Sequence, residues 1–161
     1  MSVIAQTRES IIAAGETAPD FTLPNSVKED WTLSDAVRAG DVVLCFFPLA
    51  FTGVCETEMK CVDAEMDAWK AKGATVIGIS CDSFAVLKAW SDQNKFGHTL
   101  LADMHRTVCR QYGLYWAKLN VAQRGTVVIG QDDSGTGTVK WSQSREASNA
   151  MTWDEILAQV G

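Results

Sequence analysis

Val42-Val-Leu-Cys-Phe-Phe-Pro-Leu-Ala-Phe-Thr-Gly-Val-Cys55 is the stretch whose reading decides the architecture. Its first six residues, Val42 to Phe47, are β-branched, aliphatic or aromatic with no polar face. That is the pattern of a strand covered on both sides in a parallel sheet. Beyond Pro48 the period changes. Met59, Val62, Met66 and Trp69 recur at helical spacing and predict one amphipathic helix from Gly53 to Lys72, stopped by Gly73. Thr75 to Ser80 is a second buried run of strand length. Strand, helix and strand together predict a right-handed βαβ unit.

The alternation continues outward from this unit. A helix is expected from Ser83 to Phe96, stopped by Gly97, and a shorter one from Thr107 to Tyr112, ended by Gly113. Val127 to Ile129, the turn-rich Gln131 to Gly137, and Val139 and Trp141 alternating with Lys140 and Ser142 predict a hairpin. Thr152-Trp-Asp-Glu155 reads as a capping box that starts a last helix. The expectation is one α/β domain spanning 1–161, with a mostly parallel central sheet, an antiparallel hairpin near the C-terminus and helices on both faces. Trp69, Trp90, Trp141 and Trp153 fall at packing positions, whereas Trp116 is expected to line an interface near the site.

Composition narrows the function. Of 161 residues, 47% are hydrophobic, and a chain this long buries about 70% of its unfolded surface without needing disulfides. Its five cysteines, at 45, 55, 61, 81 and 109, therefore call for another explanation. Fourteen basic against 20 acidic residues give a net charge of −6, which argues against nucleic acid and anionic membranes as partners. The apolar run from Val42 to Phe51 is about half a membrane span and contains Pro48. The opening Met1 to Ser10 is interrupted by Arg8 and Glu9 and builds no export signal, so a cytoplasmic location with reduced thiols is expected. Neither C-x2-C nor H-x3-H occurs. His105 and Cys109 are the only near pair, so no metal and no cofactor are expected. His98 and His105 are expected to be exposed.

In a sheet of this kind ligands bind beyond the carboxyl ends of the strands, which directs attention to residues 48–55. Cys55 falls in the first turn of a helix, where free N–H groups and the positive end of the macrodipole favour an anion, so a thiolate there is a reactive nucleophile. Thr52 stands at the N-cap, its hydroxyl able to accept from the N–H of Cys55 or to turn toward whatever the sulfur attacks. Pro48, with no N–H and a fixed φ, forms a rigid apolar wall over the sulfur.

Pro48-x-x-x-Thr52-x-x-Cys55 resembles the active-site motif of the peroxiredoxins, thiol peroxidases of the thioredoxin-like fold. Gly15-Glu-Thr-Ala-Pro19-Asp-Phe-Thr-Leu23 is similar to the family's opening segment, and Arg124-Gly-Thr-Val-Val-Ile129 to the strand carrying its active-site arginine. The wording looks most like the one-cysteine, alkyl-hydroperoxide-reductase-E-like group. The resemblance implies that Cys55 is the peroxidatic cysteine, attacking hydrogen peroxide or an alkyl hydroperoxide and passing through a sulfenic acid. Thr52, the N–H groups of residues 53–55 and Arg124 would bind the peroxide oxygens. Glu58, one turn on, is a candidate to orient Arg124. The implied partners are a peroxide and a thiol reductant, either a thioredoxin-, glutaredoxin- or mycoredoxin-like protein or a low-molecular-weight thiol, in a homodimeric enzyme.

Recycling stays open at this level. Cys61 and Cys109 are possible resolving thiols, whereas Cys45 and Cys81 fit strand cores. On an intact helix Cys61 lies about 9 Å along the axis from Cys55, beyond the roughly 7 Å Cα limit for a disulfide, which favours one-cysteine chemistry. Two further readings stand beside the peroxidase. One is a thioredoxin-fold thiol-disulfide oxidoreductase, which ordinarily carries C-x-x-C where this chain has Cys55-Glu-Thr-Glu58. The other is a non-catalytic interaction domain of the same fold.

Overall fold

A computed structural model describes residues 7–132, 135 and 137–161. The first six residues and positions 133, 134 and 136 of the expected hairpin turn lie outside the described residues. Chain order runs β1 (Thr22–Pro24), β2 (Asp30–Thr32), α1 (Leu33–Val37), β3 (Val42–Phe46), α2 (Gly53–Ala64), α3 (Met66–Ala71) and β4 (Thr75–Ser80). It continues through α4 (Phe84–Asn94), β5 (Thr99–Ala102), α5 (Thr107–Gln111), β6 (Tyr115–Trp116), β7 (Val121–Ala122), β8 (Gly125–Gly130), β9 (Thr138–Ser144) and α6 (Trp153–Leu157).

The central sheet has five strands in the order β5-β4-β3-β8-β9. The β3–β4 and β4–β5 ladders are parallel, and β8 and β9 add an antiparallel hairpin to the free edge of β3. β3 is buried at every residue, as its uninterrupted apolar run requires. Successive side chains divide between two cores: Val42, Leu44 and Phe46 enter one, Val43, Cys45 and Phe47 the other. α2, α3, α4 and α6 cover the second core through Met59, Trp69, Leu87 and Ile156. α1, α5 and the segment before β1 cover the first through Val37, Val108 and Phe21. Gly78 sets how closely α2 approaches. A Cβ there would stand 2.9 Å from Met59 Sδ and 2.6 Å from Leu100 Cδ2.

Several local expectations change. The helix after Gly53 is two helices: at Glu65 the N–H turns back to Val62 O, tightening the turn and re-aiming α3 so that Trp69 remains buried. α4 ends through Lys95 in the left-handed conformation, φ 56°, rather than through Gly97. The Thr152 hydroxyl makes no cap, and the turn closes instead through its carbonyl, which accepts from Glu155 and Ile156 N–H. His98 is buried, not exposed. Its ring lies 5.2 Å from that of Phe96, and its Nδ1 is 3.2 Å from Asp63 Oδ1, which also accepts from Gly97 N–H.

Val139 and Trp141 do not share a face. Val128 pairs with Trp141 but Ile129 with Val139, so Lys140 is the extra residue of a β-bulge. Val139 therefore enters the first core while Trp141 packs against the second.

Candidate active site

The turn between β3 and α2 is built by its own short-range chemistry. Pro48 ends the strand, and Phe51 takes a positive φ of 62° that swings the chain into the helix. Asp82, just past β4, accepts the Ala50 N–H at 2.9 Å and the Ser80 hydroxyl at 2.7 Å, tying this loop to the neighbouring strand. Thr52 occupies the N-cap with extended backbone, but its side chain does not cap α2. The hydroxyl instead donates to Leu49 O at 2.6 Å, a turn closed inside the loop that leaves the oxygen lone pairs as acceptors.

The first backbone bond of α2 runs from Glu56 N–H to Thr52 O, so the N–H groups of Gly53, Val54 and Cys55 precede the intrahelical ladder. Cys55 lies among them, 1% exposed. Arg124, at the residue before β8 and 2% exposed, donates from Nη2 to Cys55 Sγ at 3.0 Å. The antiparallel pairing of Phe46 with Gly125 brings these two ends together across 69 residues of sequence. Arg124 is fixed at two more points, donating from Nη1 to Glu58 Oε1 at 3.1 Å and from Nε to Ala147 O at 3.0 Å.

Glu58 is fully buried, as an anchor for a guanidinium must be if it is to hold one geometry. Its Oε2 accepts the Met151 N–H at 2.7 Å and lies 3.4 Å from Arg145 Nη2. Burial pushes the Glu58 carboxyl up, and Arg124, Arg145 and the Met151 N–H pull against that rise. Arg145 also donates to Thr126 Oγ1 at 2.8 Å and to Gln143 Oε1 at 3.0 Å. Two arginines thus face one buried carboxylate, and one of them reaches the sulfur.

A cavity of about 260 Å³ opens over this group, lined by Pro48, Thr52, Cys55, Trp116, Arg124 and Ala147 among others. Pro48, Thr52, Cys55, Glu58, Arg124 and Trp116, all singled out in the sequence, therefore meet at one place. Arg145 and Asp82 were missed. The bulge at Lys140 hides the face on which Arg145 falls, and an Asp two residues past Ser80 carries no signal of its own. The described residues offer no ligand cluster for a metal at this site.

The remaining thiols separate by position. Cys61 is half-buried on α2, which runs unbroken from Cys55 to beyond it. Cys45 is packed in the second core, 3.8 Å from Met151 Sδ, and burial pushes its thiol far up, the Glu58 carboxylate adding to the rise. Cys109 is not brought to Cys55. It lies in the first core, across the sheet, with Cys81.

The AhpC/TSA family matches residues 14–141. Alkyl hydroperoxide reductase E of Mycobacterium bovis is 30% identical over 155 residues, covering 93% of this chain and 99% of the relative. Peroxiredoxin Bcp of Escherichia coli is 33% identical over 107 residues, 66% of this chain and 68% of the relative. Among solved structures, peroxidoxin BcpB from Mycobacterium tuberculosis superposes with a TM-score of 0.82 at 27% identity, covering 92% of this chain and 96% of its own.

Proposed function

The chain belongs to the AhpC/TSA family, the peroxiredoxins, and is a thiol-dependent peroxidase; from that premise we propose that Cys55 is the sulfur that meets the peroxide. The observation that carries this reading is the buried Arg124 guanidinium 3.0 Å from Cys55 Sγ. An N–H from a permanent cation bonds more strongly to sulfur the more negative the sulfur is, so this contact is one that the attacking thiolate can use.

The thiolate attacks the nearer peroxide oxygen in line with the O–O bond. That bond breaks, two electrons pass from sulfur to the peroxide, and Cys55 becomes a sulfenic acid while the alkoxide or hydroxide takes a proton and departs. Negative charge grows on oxygen in this step. Arg124 and the N–H groups opening α2 are positioned to stabilise it, Thr52 offers an acceptor for the peroxide O–H, and Pro48 limits water. Glu58 and Arg145 are positioning residues that hold the guanidinium in register.

A thiol then attacks the sulfenic acid, releasing water and leaving a mixed disulfide, and a second thiol restores Cys55 as the reductant disulfide leaves. We read this as one-cysteine chemistry, supported by the unbroken α2 between Cys55 and Cys61, with hydrogen peroxide and alkyl hydroperoxides as substrates. The reductant is a thioredoxin-, glutaredoxin- or mycoredoxin-like protein or a small thiol. Five unpaired cysteines support a reducing, cytoplasmic compartment. Exposed Leu49, Phe51 and Leu119 beside the cavity support a homodimer packed around the site, each chain one domain over 1–161. The absence of a C-x-x-C pair weighs against a thiol-disulfide oxidoreductase. Peroxide consumption with a thiol donor tests the reading: Cys55→Ser should abolish it, and unchanged turnover in that variant would overturn it in favour of an interaction domain.

A further inference from the structure

The described residues hold one other place where sulfur chemistry is preassembled. Cys81, immediately after β4, and Cys109, on α5, point into the first core with their Sγ atoms 3.8 Å apart. They sit across the sheet from Cys55, and the peroxidase mechanism uses neither. We propose that Cys81 and Cys109 are a second redox site, a dithiol that closes to an intramolecular disulfide by exchange with a low-molecular-weight disulfide.

Three observations carry this. The sulfurs are already in contact, and both belong to elements pinned by backbone bonds: Asp103 N–H donates to Ser80 O at 2.8 Å, while the Asp103 carboxylate accepts Cys109 N–H at 2.8 Å and Val108 N–H at 3.2 Å. The two thiols therefore do not have to search for each other, which makes the local concentration of the second thiol very high. Access is asymmetric: Cys81 is 7% exposed and Cys109 is 0% exposed, so Cys81 is the sulfur that meets the reagent and Cys109 the one that resolves it. The same two cysteines, with Asp103, also form a cluster of potential metal ligands. As a cation site this cluster is poor. It supplies three donors, both carboxylate oxygens already accept from the start of α5, and two thiolates with a carboxylate would bury more negative charge than a divalent ion cancels. A disulfide is neutral and suits the apolar core.

The exchange balances as follows. The Cys81 thiolate attacks a sulfur of the external disulfide, forming a mixed disulfide and releasing one thiol. The Cys109 thiolate then attacks Cys81 Sγ, forming the internal bond and releasing the second thiol. Cys81 and Cys109 together lose two electrons and two protons, and the external disulfide gains them. Reduction by a dithiol runs the sequence backward.

The test uses the full chain carrying Cys55→Ser and Cys61→Ser, incubated folded with oxidised glutathione, blocked with an alkylating agent and mapped by mass. The expected result is a Cys81–Cys109 linked peptide lacking two hydrogens, reversed by dithiothreitol, with Tm raised on the order of 5–10 °C over the reduced form. Adding Cys109→Ala should stop the chemistry at a glutathione adduct on Cys81. In the otherwise native chain, Cys81→Ala should eliminate the bridge and leave peroxide turnover in place, so this result is read separately from the peroxidase assay. Both thiols remaining alkylatable after oxidation, a bridge that forms only in denaturant, or stoichiometric zinc lost on Cys109→Ala would each overturn the proposal.

Discussion

The two faces of one sheet hold cysteines that differ in almost everything but their element. On the α2 face, a single thiol stands at a helix start with a buried guanidinium 3.0 Å away, itself held by a buried carboxylate. On the α5 face, two thiols touch each other with the Asp103 carboxylate within 4.8 Å of both. The Cys81 contact and then burial push the Cys109 thiol far up, and Asp103 adds to it. Both regions are buried, so burial alone does not decide reactivity. What differs is the sign of the charge facing the sulfur: a guanidinium at Cys55, a carboxylate beside Cys81 and Cys109.

The largest effect expected from breaking this contrast is that of Cys55→Ser, which should eliminate peroxide turnover while Cys81→Ala retains it. Next, Arg124→Ala removes the cation that distinguishes the two faces. Its single-turnover rate with hydroperoxide, followed by stopped flow, should fall by roughly 10²–10³, and Arg124→Lys should recover only part because a lysine cannot satisfy sulfur, Glu58 and Ala147 together. Glu58→Ala leaves two arginines facing an empty buried site. It should cost about 3–5 kcal/mol in denaturant unfolding and lower the peroxide rate, whereas Glu58→Gln should restore more stability than activity.

The smallest effect concerns a third buried group on the α2 face. Burial holds the His98 imidazole below its ordinary value, against the pull of Asp63, whose own carboxyl is held below the usual range by the Gly97 and His98 bonds outweighing burial. On acidification the unfolded chain binds the His98 proton first. Its contribution to stability is therefore complete above about pH 6.5 and is lost as pH falls through the lower folded value. Thermal unfolding of His98→Asn against the parent should show a shallower loss of Tm between about pH 6.5 and 5. An unchanged slope would remove His98 from the account.

Much of the Cys55 region was legible because its constraints are local. A two-sided strand needs uninterrupted apolar residues, a break needs Pro48, and the helix that follows announces itself through Met59 and Val62. Arg124 and Glu58 were reachable because one heads a strand of the same sheet and the other stands a turn from Cys55. What escaped depends on tertiary register. The bulge at Lys140 rephases β9 and so decides the side on which Arg145 emerges. Asp82 matters only because β4 ends beside the Pro48–Thr52 loop, and Cys81 meets Cys109 because two non-adjacent elements pack on the far face. The burial of His98 escapes the sequence because it follows from packing against Phe96 and from a contact with Asp63 on α2, 35 residues away.

Trapping the first product tests the central claim most directly. One equivalent of hydroperoxide should be added to the reduced native chain in the presence of dimedone, followed by peptide mapping. The account predicts a dimedone adduct on Cys55, with Cys61 still free and Cys45 unmodified. An adduct on another cysteine, or a Cys55–Cys61 bridge formed in its place, would contradict it.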